Sequence, residues 1–254
     1  MGAAVLSASI ASTAAHQVPI PIALEFLAVI VASAYGAFAA RENRLDLIGA
    51  VAFAVACALG GGIIRDVILQ EGDVYILRQP LAMPVSIATA AVVFVFPAIF
   101  EKPDRLMPVL DIFSVGLFAV IGADKAMVYG YDPIICTTMG FFTAVGGGVL
   151  RDVCLGKVPY IFQRSNLYAI AAIVGAMVYL LLIETFHVWN LVAAAVAVAL
   201  TMAVRWTSIH FNIMSPTEVD LRRVKHIARP IKAVGRQTVQ SVSRVHKKRD
   251  RRES

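Results

Sequence analysis

"LDLIGAVAFAVACALGGGIIRDVIL", residues 45–69, is apolar and long enough to cross a membrane, yet it carries three consecutive glycines and then an Arg-Asp pair. A hydrocarbon core of about 30 Å takes about 20 helical residues, and this stretch meets that length. Glycine costs roughly 1 kcal/mol relative to alanine in a helix interior, so Gly60, Gly61 and Gly62 predict a bend or a short unwinding. From Leu47 to Gly60 a helix rises about 20 Å at 1.5 Å per residue, which puts the predicted break deep in the membrane. Broken backbone is tolerated there only where protein or a water-filled cavity satisfies the freed groups.

The same signature returns as "GGGVLRD" at residues 146–152. An offset of 86 carries Gly60, Gly61, Gly62, Arg65 and Asp66 onto Gly146, Gly147, Gly148, Arg151 and Asp152. The register holds without a gap outside the motif: Glu25 meets Asp111, Gly36 meets Gly122, Asp46 meets Asp132 and Arg78 meets Arg164. This is an internal duplication.

Composition agrees with the spans. The chain has 254 residues, 59 % of them hydrophobic and 16 % charged, against about 25 % charged in soluble proteins, and its mean hydropathy is +0.75. Seven apolar segments are read, at roughly 20–39, 45–69, 81–100, 107–128, 132–155, 166–184 and 188–207. They are too long and too continuous for the alternating strands of a membrane barrel. The predicted fold is all-α and integral to the membrane, with seven transmembrane helices. Its organisation reads as an N-terminal segment (1–19), a three-helix repeat (20–105), a second three-helix repeat (106–186), a seventh helix (187–208) and a basic tail (209–254). Three crossings per repeat force the second copy to enter the membrane upside down. Many transporters are built from such inverted repeats, with their sites at the repeat interface. The seventh span, rich in Ala and Val, is expected to pack close to the bundle or to a neighbouring subunit.

Basic residues orient the chain. Twelve of its 23 Lys and Arg lie beyond residue 220, and the positive-inside rule places that tail in the cytoplasm and the N-terminus outside. The tail reads as a solvated segment that brushes anionic lipid; with few aromatics and no nucleic-acid module, no nucleic-acid partner is expected. The first eighteen residues lack a positive n-region, which gives a cleaved signal peptide weak support. Cys57, Cys136 and Cys154 match no metal spacing and are expected to be buried packing residues.

Intramembrane ionisable groups are expensive and suggest function by default. Adjacent residues do not share a helix face, so Arg65 and Arg151 are expected to pair with groups other than Asp66 and Asp152. Either the Arg-Asp pairs face an ion or they cap the breaks and lock the bundle. Lys125, in "FAVIGADKA", either snorkels or faces a pore. Glu25 and Asp111 occupy matching places near span ends: either they face a cavity, where acids would favour cations, or interfacial solvation, the simpler account, explains them. No Ser-His-Asp set, metal cluster or cofactor motif appears, and GGGxxRD lacks the Lys-Ser/Thr of a phosphate loop; no enzyme is expected.

Two GGGxxRD motifs in a three-plus-three-plus-one plan, with "FAVIGADKA" in the fourth span and "LGKVP" after the second motif, resemble the prokaryotic branch of the trimeric intracellular cation (TRIC) channels. The same sequences are also described as a glycine transporter domain. The resemblance covers about residues 20–207. It implies homotrimers in a cell membrane, each protomer with its own pore framed by the kinked second and fifth helices, conducting K⁺ with Na⁺ less favoured. The implied pore positions are Gly60, Gly61, Gly62, Arg65, Lys125, Gly146, Gly147, Gly148 and Arg151, and Asp66 and Asp152, the charged neighbours of the two arginines, are counted with them as candidates for the ion pathway. The runner-up activity is a secondary carrier for a small zwitterion such as glycine. A third, more distant possibility is a scaffold acting through the basic tail. Few acids lie deep in the spans to relay coupling protons, which favours the channel over the carrier.

Overall fold

The computed structural model describes residues 20–96, 103–163, 167–211 and 213. The N-terminal segment, Arg164 and nearly all of the basic tail therefore lie outside the described residues. The helices are α1 (Ile22–Glu42), α2 (Leu47–Leu69), the single turn α3 (Tyr75–Arg78), α4 (Ala82–Val95), α5 (Pro103–Val128), α6 (Pro133–Cys154), α7 (Tyr168–Glu184) and α8 (Asn190–His210). A 3₁₀ turn, Tyr160–Phe162, precedes α7. Five of these, α1, α2, α5, α6 and α8, are long and apolar enough to cross a membrane, and α4 and α7 are shorter apolar helices. Large side chains such as Ile63, Ile134, Met177, Val192 and Trp206 point outward. A helix apolar all round suits lipid on one side and protein on the other.

The ends of the helices follow local chemistry. Asp46 accepts the Gly49 amide at 2.7 Å and caps α2, a standard use of Asp at that position. Its repeat mate Asp132 stands just before α6, which opens on Pro133, where a missing N–H does no harm. Pro108 sits inside α5, at the position matching Ile22, where α1 begins.

Packing reproduces the duplication. α1, α2 and α4 touch one another, as do α5, α6 and α7, and the two triads join through α1 with α5 and α2 with α6. α8 packs on α5 and α7, presenting buried Ala193, Ala194 and Ala197. A side chain at Gly175 would collide with Thr201, so the glycine admits the close approach of α8.

Polar side chains tie helices together inside the bundle. Ser33 Oγ donates to Ser86 Oγ at 2.7 Å between α1 and α4. Asp124, buried in α5, accepts the Tyr179 hydroxyl at 2.6 Å and the Ile20 amide at 3.1 Å. Such interhelical bonds hold membrane helices where lipid offers no alternative partner.

Of the bend or short unwinding expected at the glycines, the unwinding does not occur: α2 is continuously helical through Gly60–Gly62 and α6 through Gly146–Gly148. In lipid every backbone amide needs a partner, and that demand outweighs the roughly 1 kcal/mol per glycine. Of the cysteines, Cys57 and Cys136 are buried but Cys154, the last residue of α6, is exposed.

Candidate ion pathway

The glycines serve the crossing of α2 over α6. A methyl group on Gly61 would overlap the Thr143 carbonyl oxygen, and one on Gly147 would overlap the Cys57 carbonyl oxygen. These are one contact seen twice, because Cys57 and Thr143, like Gly61 and Gly147, are 86 residues apart. Gly60 faces Leu150 and Gly146 faces Ile64, again a pair related by the offset, and a Cβ on Gly146 would also lie 2.9 Å from Gly61 Cα. Gly62 and Gly148 are roomier: their nearest neighbours would be Arg65 Nη2 at 3.9 Å and the Tyr168 hydroxyl at 3.2 Å. Exchange of contacts under the offset is the mark of a pseudo-two-fold axis through the crossing.

An Arg-Asp cluster follows the crossing on each helix. Asp66 accepts Arg65 Nε, Lys125 Nζ and the Tyr75 amide, each at 2.7 Å. Asp152 accepts Arg151 Nε at 2.8 Å and the Tyr160 amide at 2.7 Å. Each carboxylate thus receives its neighbouring arginine and the first amide of the short helical turn beyond. The expectation that each arginine would avoid its own aspartate is corrected. The adjacency rule describes Cβ directions, but the guanidinium stands at the end of a long stem and Nε folds back onto the next side chain. Lys125 does not snorkel, since its ammonium rests on Asp66.

The two clusters differ in their further partners. Arg151 Nη1 donates to the Tyr35 hydroxyl, its guanidinium lies 5.2 Å from the centre of that ring, and Nη1 is 3.9 Å from Asp111. Asp111 accepts Arg205 Nη2 of α8 at 3.2 Å. The expectation of a solvated Asp111 at a span end is therefore corrected: α5 begins eight residues earlier, at Pro103, and Asp111 lies among two arginines. Its repeat mate Glu25 is half-buried and forms no ion pair among the described residues.

Two cavities adjoin these clusters. One of about 590 Å³ is lined by Glu25, Arg65, Tyr75, Arg78, Asp124 and Lys125. The other, about 430 Å³, is lined by Tyr35, Glu42, Asp111, Arg151, Tyr168 and Arg205. Glu25 and Glu42 both belong to α1 and stand about 26 Å apart at 1.5 Å per residue, so the cavities lie at opposite ends of the bundle. A neck of about 20 Å³ shares Glu25, Arg65 and Tyr75 with the first cavity and is lined also by Leu59, Gly62, Phe118 and Thr143, the last of which meets Gly61 at the crossing. That volume holds about one water molecule.

Of the residues singled out in the sequence, Arg65 and Lys125 line the first cavity, Arg151 lines the second and Gly62 lines the neck. Asp66 and Asp152 stand behind the arginines, and Gly60, Gly61, Gly146 and Gly147 are buried in the helix crossing. Sequence reading passed over Tyr35, Tyr168 and Arg205. A lone arginine within the apolar run of α8 was the available signal for Arg205; Tyr35 and Tyr168 gave none, since tyrosine is ordinary in such spans.

Comparison with known proteins accounts for the architecture. The family model described as Glycine transporter matches twice, over residues 22–98 and 108–184, with the same offset of 86. The inner membrane protein YadS of Escherichia coli is 32 % identical over 76 % of this chain and 94 % of its own length. A membrane protein of Deinococcus radiodurans is 30 % identical over 73 % and 86 %. Among solved structures, the TRIC trimeric intracellular cation channel orthologue from Rhodobacter sphaeroides superposes with a TM-score of 0.69 at 30 % identity, covering 76 % of this chain and 98 % of that one. A second TRIC cation channel gives 0.68 at 28 % identity, covering 79 % and 98 %. These neighbours are channels rather than enzymes. The chain is an α-helical membrane protein that belongs to the family whose model is described as Glycine transporter and whose fold the TRIC channels share.

Proposed function

We propose that the protein is a passive cation channel, selective for K⁺ over Na⁺, with one path through each protomer of a homotrimer in the inner membrane. The observation that carries this reading is the pair of charged cavities at opposite ends of one bundle, one lined by Arg65 of α2 and the other by its repeat mate Arg151 of α6. The likeness to solved cation channels supports it, and the trimer follows the description of the Rhodobacter sphaeroides relative. Gly60–Gly62 and Gly146–Gly148 set how closely the two helices approach, and Arg65, Asp66, Lys125, Arg151 and Asp152 set the charge on either side. A neck that holds about one water is a closed state, and ions pass when α2 and α6 move apart. The N-terminus lies outside and the basic tail in the cytoplasm, beside anionic lipid.

One feature favours a second reading. Glu25 and Arg78 line the same cavity, and neither side chain makes an ion pair or hydrogen bond among the described residues. An acid and a base facing one space suit the ammonium and carboxylate of a small zwitterion such as glycine. Reconstitution separates the two. The channel reading predicts unitary K⁺ currents in planar bilayers, without ATP or a gradient of a second solute. Saturable glycine uptake into proteoliposomes without unitary K⁺ currents would replace it with the carrier.

A further inference from the structure

α8 lies outside both copies of the family unit, so no residue of the first repeat corresponds to what it contributes. Its Arg205 is buried, with its guanidinium 4.6 Å from the centre of the Tyr168 ring. Arg205 Nη2 is the nearer of two cations to Asp111, at 3.2 Å against 3.9 Å for Arg151 Nη1. The formally charged groups lining this second cavity are Glu42, Asp111, Arg151 and Arg205, two acids and two bases. Asp152 holds Arg151 from behind at 2.8 Å, so removing Arg205 makes this end of the bundle more negative by one unit. Glu25, which the repeat places opposite Asp111, has no such clamp.

We infer that Arg205 is a conductance-setting residue: by neutralising Asp111 it limits how strongly this end of the path attracts cations, so the seventh membrane helix tunes a pore that the two repeats build. The inference rests on the channel reading. Buried ion pairs hold fixed charge in place, and a wall charge at a pore mouth sets the local concentration of the permeant ion. One unit charge about 7 Å away in a water-like medium changes cation occupancy roughly two- to three-fold.

The test is current recording in planar bilayers, in symmetrical KCl, of the full chain and of Arg205→Gln, Asp111→Asn and the double variant. Arg205→Gln is expected to raise K⁺ current about two-fold for ions entering from the second cavity, which bends the current–voltage relation. Asp111→Asn, which leaves Arg205 in place, is expected to bend it the other way, and the double variant to straighten it. A purely structural role would lower the yield of channels without this pair of opposite curvatures. A conducting wild type whose current–voltage relation is the same in both single variants overturns this inference alone. A wild type without unitary currents overturns the channel reading and this inference with it. Should Arg205→Gln fail to assemble, Asp111→Asn decides by itself: curvature towards weaker entry supports the inference and an unchanged relation overturns it.

Discussion

Gly61→Ala and Gly147→Ala are each expected to cost about 3 kcal/mol or more, read as a steep fall in the thermal unfolding midpoint of the detergent-purified protein. The added methyl group meets a backbone carbonyl across the crossing, that of Thr143 or Cys57. A side chain would rotate away, but a helix carbonyl moves only with its helix, so the crossing must widen. Overpacking of this kind costs typically 1–3 kcal/mol and sometimes more, and here α2 and α6 also lose the close contact that holds the two repeats together. Gly62→Ala is the internal control. Its nearest neighbour would be Arg65 Nη2 at 3.9 Å, and alanine gains about 1 kcal/mol of helix propensity, so the midpoint should hold or rise. Equal loss at Gly61 and Gly62 would mean that the glycines act through helix flexibility and not through the crossing.

Asp66→Asn should have the second large effect. The carboxylate is 2 % exposed and receives two cations and one backbone amide. The amide side chain keeps the volume but leaves Arg65 and Lys125 facing each other without a counter-charge, and breaking a buried pair in this way costs about 3–5 kcal/mol. Adding Lys125→Met should restore part of the loss, since it removes one of the stranded charges, and the non-additivity in a double-mutant cycle measures the coupling. Asp152→Asn should cost less, because Arg151 keeps Tyr35 and Asp111 as partners. If Asp66→Asn melts like the wild type, the cluster is not what locks α2 to α5.

The contrast between the two halves explains what the chain disclosed in one dimension. The inverted repeat was legible because duplication preserves rare residues at fixed spacing: Asp46 and Asp132 at the helix starts, and an Arg-Asp pair after each glycine run. Gly61 and Gly147 were visible as residues but misread as breaks. Helix propensity describes a chain in water, whereas in lipid the need to pair every amide keeps the helix whole. The Arg-Asp pairing was hidden because side-chain length, not Cβ direction, decides where a guanidinium ends. The role of α8 was hidden for a different reason. Arg205 meets Asp111 across 94 residues of chain, and α8 has no repeat partner whose offset would point to it.

The proposed path runs from the cavity at Glu25 to the cavity at Asp111, at opposite ends of one protomer. Single cysteines introduced by Glu25→Cys and by Asp111→Cys, each in a chain carrying Cys154→Ala, test it directly in planar bilayers with a membrane-impermeant thiol reagent. K⁺ current through the first should be blocked from one chamber only, and through the second from the other chamber only. Block of both from the same chamber, or current unaffected by either, would contradict the account.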